Sequence, residues 1–172
     1  MVQGELKLFE GLPNVGIVSE ATISACGKYR YKLSRVWDKN LPKVLFIMLN
    51  PSTADANEDD PTIGRCIGFA KSWGYGGIMV GNLFAYRSTD PKQLLSVENP
   101  VGDENQKCVK EMQDECEIIV CAWGNAPVFP YESFTGFDER KAHYLKITKK
   151  GYPAHPLYLK GDLKPKPYYR GQ

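Results

Sequence analysis

Val44-Leu-Phe-Ile-Met-Leu-Asn-Pro-Ser-Thr-Ala-Asp55 is the stretch on which the reading of the fold turns. Its apolar run from Val44 to Leu49 is uninterrupted, the pattern of a strand buried on both faces. Pro51 cannot extend that strand, because proline has no amide hydrogen to give a neighbour. Asn50, Pro51, Ser52, Thr53 and Asp55 therefore collect just beyond the strand's C-terminal end, where open α/β sheets carry their chemistry.

Working outward, Ile78-Met-Val-Gly-Asn-Leu-Phe-Ala85 is a second apolar run with Asn82 toward its end, and Ile118-Ile-Val-Cys-Ala-Trp123 is a third, closing on Gly124-Asn125. Between the first two, Asp60-Pro61 has the capping acid and first-position proline of a helix start, and Ile63, Cys66, Ile67, Ala70 and Trp73 then fall on one face. Val109, Met112 and Cys116 recur at helical spacing before the third run. Upstream, Glu20–Ala25 and Tyr29–Trp37 alternate around Gly27-Lys28 as a β-hairpin does. Downstream, 125–137 reads as loop, 138–149 as a short basic helix and 151–159 as a brief strand with a proline-flanked His155. This alternation predicts one α/β domain, a three-layer α/β/α arrangement around a mostly parallel central sheet of about four strands. Residues 1–40 form an N-terminal hairpin or edge, 41–160 the α/β core and 161–172 a basic Pro/Tyr tail.

A chain of 172 residues, 42% hydrophobic and 24% charged, has the composition of a single soluble domain. It contains no apolar stretch long enough to span a bilayer, and Met-Val-Gln-Gly-Glu is not a secretory start, so a cytoplasmic location without membrane partners is expected. Cys26, Cys66, Cys108, Cys116 and Cys121 are odd in number and lack a Cys-x-x-Cys pair, which favours buried free thiols. His143 and His155, the only histidines, are too far apart for a helix-borne metal pair; neither a metal nor another cofactor is expected. The charge is uneven. Residues 141–172 carry eight Lys/Arg against Asp162 alone, a net +7, while the remaining 14 basic and 19 acidic residues leave −5. Interleaved tyrosines make this segment a candidate for contact with nucleic acid, with a solvated tail as the plain alternative.

Asn50, Asn82, Trp123-Gly124 and His155 each end or follow an apolar run, and such ends share one rim in a parallel sheet. Two amides and an imidazole around a pocket fit a planar heterocycle. Phe46-Ile-Met-Leu-Asn-Pro-Ser, Ile78-Met-Val-Gly-Asn-Leu, Ile119-Val-Cys-Ala-Trp-Gly-Asn and Ala154-His-Pro-Leu-Tyr occur in the order and rough spacing of the uracil-DNA glycosylase motifs, and the chain resembles that superfamily over 44–160. With Leu-Asn-Pro-Ser-Thr-Ala-Asp and His-Pro-Leu-Tyr-Leu it is also similar to a family of small bacterial and phage proteins that brings no established activity.

The glycosylase resemblance implies that fold and cleavage of the N-glycosidic bond of a damaged, mismatched or modified base. Asn50 would position water, His155 would stabilise the leaving base, and Asn82 would read its edge beside Pro51 and Ser52. Leu157 or Tyr158 would fill the vacated stack; Thr53, Arg87, Trp123, Gly124, Asn125, Lys160, Lys164 and Lys166 would contact the nucleic acid. The sequence departs from the pattern in having Met48-Leu49 where a glycine is usual, Leu157-Tyr158 after His-Pro, and no carboxylate at position 50. A module that binds a modified base, nucleotide or nucleic acid without cleaving it is the alternative. A weaker one is a metal-dependent phosphate enzyme using Asp55, Glu58, Asp59 and Asp60.

Overall fold

In the computed structural model, which describes residues 6–10, 16–126 and 138–169, the apolar run that stops at Pro51 forms β4 (Lys43–Met48) at the middle of a sheet. The other strands are β1 (Leu6–Glu10), β2 (Val18–Ser24), β3 (Arg30–Val36), β5 (Gly77–Asn82), β6 (Ile118–Cys121), β7 (Ala142–Tyr144) and β8 (Lys166–Pro167). Their spatial order is β1-β2-β3-β5-β4-β6-β7-β8.

The expectation of a mostly parallel sheet of about four strands in an α/β/α domain, and with it the glycosylase-like fold, is overturned by this sheet. It has eight strands and is mixed: β1-β2, β2-β3, β3-β5 and β7-β8 pair antiparallel, against three parallel pairs at β5-β4, β4-β6 and β6-β7. Only α1 (Pro61–Ser72) and α2 (Asn105–Glu115) are α-helical among the described residues. The physical reason lies in the N-terminal hairpin. It joins the main sheet because β3 bonds to β5 in register Leu33 to Val80, and a strand's own periodicity does not encode which neighbour it will pair with. The segment expected as a basic helix at 138–149 supplies β7 instead, and Pro156–Tyr158 is a 3₁₀ turn where a strand was expected. Residues 127–137, expected as loop, and Arg170 lie outside the described residues.

Alternation along the central strands divides the core. Val44, Phe46, Ile78, Val80 and Val120 pack under Ile63, Cys66, Phe69 and Ala70 of α1, while Leu45, Ile47, Met79, Ile119 and Cys121 pack under Val109 and Met112 of α2. Gly81 marks a close approach of α2 to the sheet: a Cβ there would lie 2.7 Å from Met112 Cε and 3.1 Å from Ile47 Cδ1, so these side-chain ends would have to shift. All five cysteines are free; Cys66, Cys108, Cys116 and Cys121 are buried, and burial pushes the Cys116 thiol up to about 12.

β3 contains an irregularity that matters for the site. Thr22 pairs with Lys32, but Ile23 pairs with Arg30, leaving Tyr31 as the extra residue of a bulge. Tyr31 packs with Cys108 and Lys32 pairs with Glu111, both on the α2 side. Arg30 is thereby turned to the α1 side, where Leu33 and Arg35 also point. The sheet's outer strands differ too: β1 has five residues, and β8 has two, one of them Pro167.

Candidate functional site

The polar loop after β4 is held by backbone bonds to the segment after β5. Leu83 and Phe84 donate to the carbonyls of Met48 and Leu49, and Ser88 donates to Pro51, each at 2.9 Å. Asn50 reinforces this clasp. Its Nδ2 donates to the carbonyls of Ser88 (2.9 Å) and Pro51 (3.1 Å), so the amide orientation is set by two acceptors and Oδ1 is the atom left for a ligand.

Two buried arginines fasten the rest of the loop. Arg35 donates from Nε to Asp59 Oδ1 (2.8 Å) and from Nη2 to the carbonyls of Asp55 and Glu58; Arg30 donates from Nη1 to the Ala54 carbonyl at 2.7 Å. The acidic run is occupied locally. Asp55 Oδ1 accepts from the amides of Asn57 and Glu58, and Asp60 Oδ1 accepts from Ile63 N at 2.9 Å as the N-cap of α1. Among the described residues no group of three or more His, Cys, Asp or Glu could hold a metal ion.

Beside this loop lies a pocket of ≈ 290 Å³, at the small end of ligand sites, which run from about 300 Å³. The end of β4 and the loop after it contribute Met48, Leu49, Asn50 and Ser52; the segment after β5 contributes Ser88, Thr89 and Pro91; the turn after β6 contributes Trp123, Gly124 and Asn125. His155 completes the lining. The turn after β6 needs glycine, because Gly124 has φ 69°, and its amide donates to Pro153 at 2.8 Å, tying that turn to the His155 segment. Asn125 Oδ1 accepts from Thr148 Oγ1 at 2.8 Å, which directs its Nδ2 elsewhere.

His155 has a defined tautomer. Its Nδ1 accepts from Leu157 N at 3.3 Å, so the neutral ring carries its proton on Nε2 and that atom is a donor. Burial holds the imidazole below its usual pKa, the charge of Asp60 opposing this in part, which favours the neutral ring. The turn is strapped to α1: Arg65 Nη2 donates to the Leu159 carbonyl, and Trp73 Nε1 to Leu163 O at 3.0 Å. Among the described residues the lining has no carboxylate, lysine or arginine.

The structure thus brings Asn50, Ser52, Trp123, Gly124, Asn125 and His155 together. It does not bring Asn82 to them. Asn82 is level with Met48 in the strand register, two residues short of Asn50, and is 1% exposed. Pro51 is buried behind the rim, with its carbonyl taken by Asn50 and Ser88. Thr53 is exposed and outside the lining, and Arg87 Nη1 donates to Gly27 O at 3.3 Å. Leu157 is half-buried in the 3₁₀ turn, while Tyr158, at 92% exposure, and Lys160, Lys164 and Lys166 face solvent. Sequence reasoning missed Ser88, Thr89 and Pro91 as lining; the Thr-Asp-Pro triplet there marks a turn, but nothing local says that the turn meets the loop after β4.

Comparison with curated proteins and with solved structures finds no match. No helix among the described residues is long and apolar enough to cross a membrane. A family model does match, over residues 30–157, a span that runs from the start of β3 to the turn after His155 and takes in every residue of the pocket lining. The chain therefore belongs to the family described as Protein of unknown function (DUF1643).

Proposed function

We propose that the pocket binds a modified or damaged nucleobase and that the protein cleaves its N-glycosidic bond. The observation that carries this reading is the fixed donor of His155 in one small, uncharged pocket with the free acceptor of Asn50. A base presents both edge types, an N–H for Asn50 Oδ1 and a carbonyl or ring nitrogen for His155 Nε2–H. As the bond to the sugar breaks, the electron pair moves onto the base, and a neutral imidazole donor is placed to meet that negative charge. The motif-level resemblance to uracil-DNA glycosylases supports this at Asn50 and His155 alone; neither the fold nor the place of Asn82 lends it weight.

DNA is the proposed carrier of the base. Lys160, Lys164 and Lys166 are exposed in the segment that follows His155, in the part of the chain with net charge +7, where a phosphate backbone would be held. Mass spectrometry of bases released from duplexes bearing modified pyrimidines and purines tests the reading. Release that falls on the order of a hundredfold in His155→Ala is expected. Release unchanged in that variant refutes the assigned role.

A second reading, recognition without cleavage, is favoured by one observation: the described lining holds no carboxylate to orient water or offset positive charge on the sugar. Binding of a base that depends on Asn50, with no release from any substrate, selects it.

A further inference from the structure

On the α1 face of the sheet, two buried side chains carried by its own strands, Arg30 of β3 and Asn82 of β5, have atoms without a partner. Arg30 is 2% exposed; its Nη1 reaches the Ala54 carbonyl, but its Nε has no partner and none of the ion pairs among the described residues includes it. Asn82 is 1% exposed, and neither its Nδ2 nor its Oδ1 has a partner. A buried guanidinium with no anion in bonding contact and a buried amide without bonds are both costly, and such groups in a native protein call for a water or an ion.

The two lie on the same face of adjoining strands. Leu33 of β3 pairs with Val80 of β5, and Arg30 N donates to Ala85 O at 2.9 Å, so Asn82 lies within the stretch of β5 and its continuation that residues 30–33 run beside. Asn82 shares its face with Val80, the α1 side, to which the bulge at Tyr31 turns Arg30. Next to Asn82 in register on β4 is Met48, 5% exposed, which also lines the pocket. Met48 is therefore the partition between the pocket and the unpartnered amide, and an unbranched thioether side chain repacks readily. The two carboxylates whose charge reaches Arg30 are bonded to backbone amides rather than to its guanidinium: Asp60 at the cap of α1, and Asp55 to Asn57 and Glu58.

We propose that Arg30 and Asn82 form a receptor for a carboxylate-sized anion, reached from the pocket past Met48 and covered by the loop that Arg30 holds at Ala54. Arg30 Nε–H and Asn82 Nδ2–H donate to the anion, and a water entering with it donates to Asn82 Oδ1. The carboxylate arrives either free or as a substituent of the heterocycle in the pocket. The second route rests on the proposed function; the first does not.

Thermal unfolding with formate, against equal ionic strength of a bulky sulfonate, tests the receptor. Wild type is expected to show a saturable rise in Tm of about 3–6 °C at roughly ten times the dissociation constant. Asn82→Leu keeps the Arg30 bond to Ala54 and should abolish the rise, as should Arg30→Met if it folds. Absence of a saturable rise, or the same rise in Asn82→Leu, overturns the proposal.

Calorimetry with a pyrimidine and its carboxylated form separates the two routes. A carboxylate that tightens binding in wild type but not in Asn82→Leu assigns the anion to the ligand. Equal affinities alongside a formate response assign it to a free anion. A formate response with no pyrimidine bound leaves the receptor standing and removes the nucleobase reading.

Discussion

Replacing Arg35 with methionine tests whether the site loop is held from beneath. The Arg35 side chain is 3% exposed and reaches Asp59 Oδ1 at 2.8 Å, Ser34 O at 2.9 Å, Glu58 O at 3.4 Å and the Asp55 carbonyl. Hydrogen bonds from a charged donor are worth roughly 1.5–3 kcal/mol each. Two of these contacts contribute little: Glu58 is at the limit of bonding distance, and Asp59, 41% exposed, rehydrates when released. The two close backbone carbonyls remain, giving about 3–6 kcal/mol before compensation. Methionine recovers part of this, because its apolar chain replaces a charge that was expensive to desolvate. A net loss of about 3 kcal/mol follows, which for a chain of this size lowers Tm by roughly 6–12 °C. Urea unfolding with an unchanged m-value measures the loss, and hydrogen exchange at Asn57 and Glu58 tests its location, since Asp55 Oδ1 holds both amides. A loss below about 1 kcal/mol, or exchange that rises equally in β4 and in the loop, refutes the account.

Three further outcomes are expected. His155 is held below its usual 6.5, so the unfolded chain takes up the proton first; its contribution to stability is complete above that value and lost as pH falls toward the lowered folded pKa. Urea midpoints followed downward through this window should therefore fall more steeply in wild type than in His155→Gln. Gly124→Ala places a Cβ at φ 69° and should cost about 1–2 kcal/mol, whereas Gly68→Ala, in α1 with nothing within 4 Å, should gain about 0.5–1 kcal/mol; thermal melts of the pair separate backbone strain from bulk. Lys160, Lys164 and Lys166 replaced together by glutamate should weaken nucleic-acid binding for all sequences and flatten its salt dependence in fluorescence titrations, and an unchanged slope would leave the segment solvated only.

The runs at 44–49, 78–84 and 118–123 are readable as strands because a continuous apolar stretch between turn signals is a local property, and they lie side by side as β5-β4-β6. The α1 start is readable for the same reason, since Asp60 and Pro61 act within one turn of themselves. What lies between elements is not local. No residue of the hairpin announces that β3 will bond antiparallel to β5, and Asp138-Glu-Arg-Lys looks helical until Ala142 and His143 are needed to extend the sheet beyond β6. The site divides along the same line. Asn50 and His155 are recognisable as polar residues at ends of runs, and the fold gathers them. Asn82 looks equivalent in sequence, but the parallel register sets it level with Met48, beneath the rim rather than on it. Arg30 and Arg35 read as ordinary charges on an alternating strand; the bulge that turns Arg30 inward is a mismatch between two strands, visible only once both are paired.

The unequal outer strands make the sheet directional as a template for association. At the β8 end a newcomer finds two residues, one of them a proline with no amide to offer, and little ladder to extend. At the opposite end β1 offers five residues of extended backbone, paired on their inner side to β2 from Leu6 to Glu10. Among the described strands, β1 is the one that leaves a strand added in trans, from another copy or from an extended peptide, a ladder to extend. Lys7 is exposed on that strand and supplies the charge that discourages such growth, while Leu8, 61% exposed, favours it. Strand addition at the described sheet is accordingly expected at β1, far along the sheet from the pocket, so a charge placed at position 8 should oppose it without touching the site.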